Sequence, residues 1–242
     1  MNNIYFISDI HLGFENSENE QLKRINLHAF LEHIEKDARE LYILGDLFDF
    51  WFEWYHVIPK YWFPFLHRFR KMTEAGITIN LIKGNHDFYL GEYLQKEIGL
   101  VCHSESSEFT LNRKRFFIAH GDGLARNDRG YRFLKKIIRN PASIFLYKTF
   151  IPPDLGIQMA KWTSVSSRSF QSKKKSSWGE EYFQFARDKF EEGFDYVILG
   201  HLHIPMIRET GEKIYINCGD WIQSFSYACY DQKNLILDFW TQ

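Results

Sequence analysis

Short apolar runs alternate with longer segments of helical period along the first half of the chain. Residues 3–7 (Asn-Ile-Tyr-Phe-Ile) read as a short buried strand. Residues 20–38 place Leu22, Ile25, Leu27, Phe30, Leu31 and Ile34 at roughly helical spacing and predict an amphipathic helix. Leu41–Leu44 reads as a second strand, 60–74 as a helix and Ile77–Ile82 as a third strand. Phe109–Leu111 and Arg115–Ala119 predict a hairpin, 178–192 a helix and Tyr196–Leu199 another buried strand. Strand-like pieces follow at 204–208, 213–217, 225–230 and 234–240. Strand–helix alternation that gives way to strands predicts an α/β protein on one or two central sheets.

Composition narrows this picture. A length of 242 residues fits one large domain, or one domain with an insertion. With 45% hydrophobic and 25% charged residues the chain is neither disordered nor fibrous. A net charge of −1 argues against a wholly basic nucleic-acid binder. Cys102, Cys218 and Cys229 are odd in number and form no Cys-x-x-Cys pair, which fits a reducing compartment. The start Met1-Asn2-Asn3-Ile4 lacks the pattern of a signal peptide, and no apolar run is long enough to span a bilayer. The expected location is therefore the cytoplasm. The aromatic surplus, 23 Phe, 13 Tyr and 7 Trp, is read first as an aromatic-rich core.

Charge is distributed unevenly. Residues 124–175 hold 12 Lys/Arg and two acids, Asp128 and Asp154, a net +10 that leaves −11 on the rest. This stretch breaks the strand–helix rhythm and is expected to be an inserted helical element with its own binding task. Within it, 129–139 alternates Arg129, Arg132, Lys135, Lys136 and Arg139 with Tyr131, Phe133, Leu134, Ile137 and Ile138. That pattern suits an interfacial basic amphipathic helix, or equally an ordinary helix packing its apolar face on the core. Phe50, Trp51, Phe52, Trp54 and Tyr55 could wall a greasy groove or belong to the core.

The chemistry concentrates where strands end. Asp9-x-His11, Gly45-Asp46-x-x-Asp49, Gly84-Asn85-His86-Asp87, His120-Gly121-Asp122 and Gly200-His201-x-His203 follow five separate strands and contain five of the ten histidines. Ligands of open α/β sheets bind at carboxyl ends of strands. Imidazole with carboxylate suits borderline divalent metals, and the absence of cysteine argues against structural zinc. Side chains two apart, as in Asp9-x-His11 and His201-x-His203, can point the same way from extended backbone. Asp46 is the natural candidate to bridge two cations. Each motif alone is weak; five in order are not.

This ordered set resembles that of the calcineurin-like metallophosphoesterases, over Asp9 to His203. The resemblance implies a four-layer α/β/β/α sandwich, here expected as a single domain over 1–242 with a helical cap at 124–175. It implies two divalent metal ions, with Mn²⁺ expected. One would take Asp9, His11, Asp46 and His203; the other Asp46, Asn85, His120 and His201. A water activated between them would attack phosphorus in line. His86 would stand beside the leaving group, oriented by Asp49.

A closer resemblance is to the UDP-2,3-diacylglucosamine pyrophosphatases of lipid A biosynthesis, carried by Tyr42-Ile43-Leu44-Gly45-Asp46-Leu47-Phe48, by His120-Gly121-Asp122 leading to Leu124, and by Asp128-Arg129-Gly130-Tyr131. It implies release of UMP and 2,3-diacylglucosamine 1-phosphate, with acyl chains between cap and core. Substrate contacts would fall on Asn85, Asp128, Tyr131 and His201 and, across an alignment gap in 151–170, on Ser167, Gln171 and Lys174. That family usually has Arg in place of His86 and often Glu in place of Asp49; both positions here match the wider superfamily. The implied partners are the UDP-linked acylated sugar and the cytoplasmic face of the inner membrane, bound peripherally. Nucleic acid is unlikely as a partner, and no obligate protein partner is implied. The alternatives left open are a dinuclear phosphodiesterase for soluble nucleotides or nucleic acid, and an inactive binding scaffold.

Overall fold

The computed structural model describes residues 2–13, 17–125, 129–160, 162 and 175–241. Its strands are β1 (Asn3–Ile7), β2 (Ala38–Ile43), β3 (Thr78–Ile82), β4 (Val101–His103), β5 (Ser106–Leu111), β6 (Lys114–Ala119), β7 (Tyr196–Leu199), β8 (Pro205–Thr210), β9 (Lys213–Cys218), β10 (Ser226–Tyr230) and β11 (Leu235–Phe239). They form one sheet in the order β11-β10-β1-β2-β3-β4 and a second in the order β5-β6-β7-β9-β8. Helices α1 (Ser17–Ile34), α2 (Phe63–Glu74), α3 (Tyr93–Lys96), α4 (Arg129–Ile138), α5 (Pro141–Phe150), α6 (153–160) and α7 (Lys175–Glu191) complete the described elements.

The period-two alternation of the strands builds the layers. In β1, Ile4 and Phe6 face the second sheet and meet Phe116, Ile118, Ile198 and Ile216 in a dry layer between sheets. Tyr5 and Ile7 face the other way, onto Leu27, Phe30 and Leu31 of α1 and Phe65 and Phe69 of α2. On the outer side of the second sheet, Val197, Leu199 and Tyr215 pack under Tyr182, Ala186 and Phe190 of α7. Strands buried on both faces read as continuous apolar runs, as 3–7 and 196–199 do. The result is the expected α/β/β/α order.

Pairing direction then positions the site. β1, β2, β3 and β4 are parallel, as are β6, β7 and β9, so the carboxyl ends of the ligand-bearing strands gather at one edge. No helix among the described residues is long and apolar enough to cross a membrane.

The sequence pattern and the structure part company in α1. The helix stops at Ile34, and Asp37 begins the turn into β2 by accepting the N–H groups of Asn2 and Asn3 on its carbonyl. In its first half Leu22 and Ile25 are 53% and 49% exposed, while Lys23 is buried. β4 and α3 were not expected from the periodicity; three and four residues are too few to show one.

Helices α4, α5 and α6 lie between β6 and α7. Ile144 and Tyr147 of α5 and Ile157 and Ala160 of α6 pack on Phe50, Phe52 and Trp54. The aromatic run after Asp49 therefore divides: Phe50, Phe52 and Trp54 meet these helices, Trp51 joins the main core and Tyr55 is exposed. Helix α4 is turned inside out. Phe133, Leu134 and Ile137 face solvent, while Tyr131, Arg132, Lys135 and Arg139 turn inward.

Candidate metal and phosphoester site

The strand-end residues converge. Asp9, His11, Asp46, His120 and His201 are buried; Asn85, His86 and His203 are half-buried at the open side. Five of them, Asp9, His11, Asp46, His201 and His203, hold φ between +46 and +68°, a region that costs an L-residue energy and collects at functional sites. These turns aim consecutive side chains inward from the strand ends. Close approach is possible because Gly84 and Gly200 have no Cβ: one on Gly84 would lie 2.0 Å from Asp46 Oδ1, and one on Gly200 1.9 Å from Ser8 Oγ.

Potential ligand atoms fall into overlapping groups: Asp9, His11 and His203; Asp46, His120 and His201; and His11, Asp46 and His86, each within 4.8 Å. In the first group His203 Nε2 is 3.1 Å and His11 Nε2 3.7 Å from Asp9 Oδ1. In the second, His120 Nε2 is 3.1 Å from Asn85 Oδ1 and 3.2 Å from His201 Nδ1. Asp46 Oδ2 stands between, 3.5 Å from both His11 Nε2 and His120 Nε2. Bonds of about 2.0–2.2 Å to one cation separate neighbouring ligand atoms by about 3.0–3.5 Å. The spacings are close to those edges, and Asp9 Oδ1 is buried without a hydrogen bond. Carboxylate, imidazole and amide oxygen together fit a divalent metal.

Neighbouring groups orient these ligands, as outer partners of metal sites do. His120 Nδ1 lies 2.7 Å from the Leu44 carbonyl, which fixes its proton there and frees Nε2. Ser8 Oγ and the His201 N–H donate to Asp9 Oδ2. His86 N–H donates to Asp46 Oδ1, leaving Oδ2 to face both groups. Asp49 sits between two rings: Oδ1 is 3.6 Å from His11 Nδ1 and 3.3 Å from His86 Nδ1, and its carbonyl is 3.0 Å from the latter.

The electrostatics are those of a buried anionic cradle. Burial alone would raise the carboxyl of Asp9, yet His203 and His11 hold it well below the usual range. Burial also opposes Asp46, which His120 and His86 hold well below that range. Burial keeps His11 neutral by lowering its pKa. For His120 burial is overcome by Asp46, Asp9 and Asp122, and its pKa is pushed up to about 10. The cradle demands positive charge, from a proton or from a metal.

Three contributors were given no role by the motif reading, although Asp87 and Asp122 stand in its motifs. Asp87 accepts from the N–H groups of Gly84, Asp46 and Leu47 and ties two strand-end loops together. Asp220 accepts from the N–H groups of Ile222, Gln223 and Ser224, and its Oδ2 is 3.5 Å from His203 Nδ1. The signal was present: Gly219-Asp220 follows β9 as a sixth strand end of the same type. Asp122 receives Tyr131 OH at 2.6 Å and Lys135 Nζ at 2.9 Å, with Arg139 Nη2 at 3.6 Å. Tyr131, Lys135 and Arg139 are four apart and share one helix face. Three cations of 124–175 are thus turned onto protein: Lys135 onto Asp122 and Glu105, Arg139 onto Glu105 and the Gly84 carbonyl, Arg132 onto the carbonyls of Gly123 and Ala125. Of the expected substrate contacts, Asn85 and His201 lie in the site and Tyr131 at its margin; Asp128, Ser167, Gln171 and Lys174 lie outside the described residues.

This fold agrees with sequence comparison. The chain belongs to the calcineurin-like phosphoesterase family, whose model matches residues 3–205. It is similar to proteins named UDP-2,3-diacylglucosamine hydrolase: 32% identical over 253 residues to that of Porphyromonas gingivalis, covering 97% of this chain and 96% of the relative. The one from Photorhabdus laumondii is 32% identical over 85% of this chain and 83% of its own length. The one from Haemophilus influenzae strain Rd is 29% identical over 93% of both.

Proposed function

We propose that this protein hydrolyses the pyrophosphate of UDP-2,3-diacylglucosamine to UMP and 2,3-diacylglucosamine 1-phosphate. The observation that carries the reading is the near full-length similarity to the Porphyromonas hydrolase in a chain whose strand-end ligand set is complete. Asp9, His11, Asp46 and His203 would hold one divalent cation, and Asp46, Asn85, His120 and His201 the other, with Mn²⁺ the expected metal. Two such ions supply Lewis acidity and a water of lowered pKa.

The side chains of this chain do the rest. Asp46 Oδ2 holds the two halves of the cradle in register. His86, kept in place by Asp49, donates from Nε2 to the attacked phosphoryl group as charge moves to the leaving oxygen. An imidazolium, with Nδ1–H on the Asp49 carbonyl and Nε2–H toward phosphorus, serves here where related enzymes carry guanidinium, because a phosphate is already a good leaving group. Segment 124–175 acts as a cap that selects the acylated substrate. The aromatic floor of Phe50, Phe52 and Trp54 beneath α5 and α6 supports an acyl path. The outward Phe133, Leu134 and Ile137, beside Lys136, support peripheral contact with the cytoplasmic face of the inner membrane. A protein partner is not part of this reading.

The test is incubation of purified protein with Mn²⁺ and UDP-2,3-diacylglucosamine in ¹⁸O-water. UMP carrying the label is expected. Label in the sugar phosphate would refute attack at the uridine-side phosphorus. Turnover of a generic aryl phosphodiester with no release of UMP would favour the soluble-phosphodiester reading.

A further inference from the structure

Lys23 is fully buried, at 1% exposure, on a helix face that otherwise meets core. A buried ammonium is costly unless its partners compensate. Its Nζ donates to the main-chain carbonyl of His11 at 2.6 Å and lies 3.0 Å from Glu20 Oε2. The other oxygen of Glu20 accepts the Gly13 N–H at 2.8 Å and Arg24 Nε at 2.8 Å. One turn of α1 therefore grips the loop at His11 and again two residues on.

The gripped loop turns into the site through left-handed residues. Asp9 and His11 both have φ near +50°, and Gly13 has φ +93°. From the other side, His11 N–H donates to the Asp46 carbonyl and Leu12 N–H to that of Leu47. The loop is thus bonded to the Asp46 loop on one flank and to Lys23 and Glu20 on the other. Loop 84–87, by contrast, is fixed by Asp87 and does not touch α1 through any hydrogen bond among the described residues.

We infer that Lys23 and Glu20 are positioning residues for one half of the metal cradle: they hold the left-handed His11 so that its ring stays in line with Asp9 and His203. This rests on the two-metal reading above. Removing an outer partner of a metal ligand typically weakens metal binding by roughly 10- to 100-fold. Here the loss should fall on one cation and spare the other.

The experiment is Mn²⁺ titration of metal-free full-length protein by calorimetry, with electron paramagnetic resonance of the loaded state. Wild type, Lys23→Met, Glu20→Gln and the references His203→Ala and His201→Ala are compared. Wild type should take two ions and show a spin-coupled pair. Lys23→Met should keep one ion at wild-type affinity and bind the second 10- to 100-fold more weakly. At the Mn²⁺ level that fills wild type, it should give the mononuclear signal of His203→Ala, not that of His201→Ala. Activity should return at higher Mn²⁺ with KM unchanged. Should Lys23→Met fail to fold, Glu20→Gln decides by the same selective loss. Unaltered affinity at both sites, or equal weakening of both, overturns the inference. A wild type that binds fewer than two ions overturns the two-metal reading instead.

Discussion

Two regions face each other across the site, and they are held by opposite means. The strand ends are over-determined: left-handed residues, glycines that admit no Cβ and buried carboxylates with several N–H donors fix each ligand from more than one side. Among the described residues, helices α4 to α6 meet the rest of the protein through polar contacts on Asp122, Glu105 and several main-chain carbonyls and through the aromatic cluster around Phe52, and they turn Phe133, Phe145, Leu146 and Phe150 to solvent. Rigid positioning favours transition-state chemistry; exposed apolar surface favours recognition of a greasy ligand. The proposed division of labour follows: the strand ends react, the helices select.

The sharpest way to break the first half of that contrast is Asp46→Ala. Its carboxylate stands between both ligand groups, so neither cation should remain tightly bound. Loss of several kcal/mol of metal-derived stabilisation should lower kcat/KM by about a thousandfold or more. Metal stoichiometry and turnover should be lost together; two retained equivalents with normal turnover would refute the bridging role.

His86→Ala should cost less, about a hundredfold in kcat, as expected for one proton donor, with two metal ions retained by titration. His86→Arg should recover part of that loss. Equal loss of metal and rate in His86→Ala would mean the ring acts as a ligand.

On the helical side, Phe133→Ser with Ile137→Ser and Phe150→Ser should weaken partitioning onto anionic vesicles by about a hundredfold or more, since each exposed side chain that enters an interface contributes of order 1 kcal/mol or more. Hydrolysis of detergent-dispersed substrate should change little. Unchanged vesicle binding would remove the membrane role of this face.

The smallest effect is a proton count. In metal-free protein the buried carboxylates keep His120 protonated up to about pH 10. Loading Mn²⁺ at pH 7 should therefore release a proton from it, and binding should weaken as pH falls. Release should decline as pH approaches 10. Calorimetry in two buffers of different ionisation enthalpy reads the number directly; no buffer dependence at pH 7 would contradict the account.

How much of this was legible in the sequence differs between the two regions for the same reason. Short continuous apolar runs such as 196–199 read as strands buried on both faces, and polar residues that break such runs at their ends, like Asp9-x-His11, stand out. All seven proposed metal ligands lie in the motifs that this signal picks out, and the family resemblance assigned them to the metals. Helical amphipathicity says that two faces differ without saying which one is inward. α4 presents its apolar face to solvent, and the first half of α1 buries Lys23 while exposing Leu22 and Ile25. Tertiary partners decided both: Asp122 and Glu105 draw Lys135 and Arg139 inward, and the His11 carbonyl draws Lys23. Asp220 was legible in kind but lay beyond the stretch that the motifs covered.

The most direct test of the division of labour is kcat/KM of the Mn²⁺-loaded wild type for UDP-2,3-diacylglucosamine against its deacylated analogue. Each buried methylene is worth roughly 0.8 kcal/mol, so even partial burial of two chains predicts a preference of about a hundredfold or more for the acylated substrate. Equal kcat/KM for the two would contradict the account, and would assign this strand-end centre to soluble phosphodiesters.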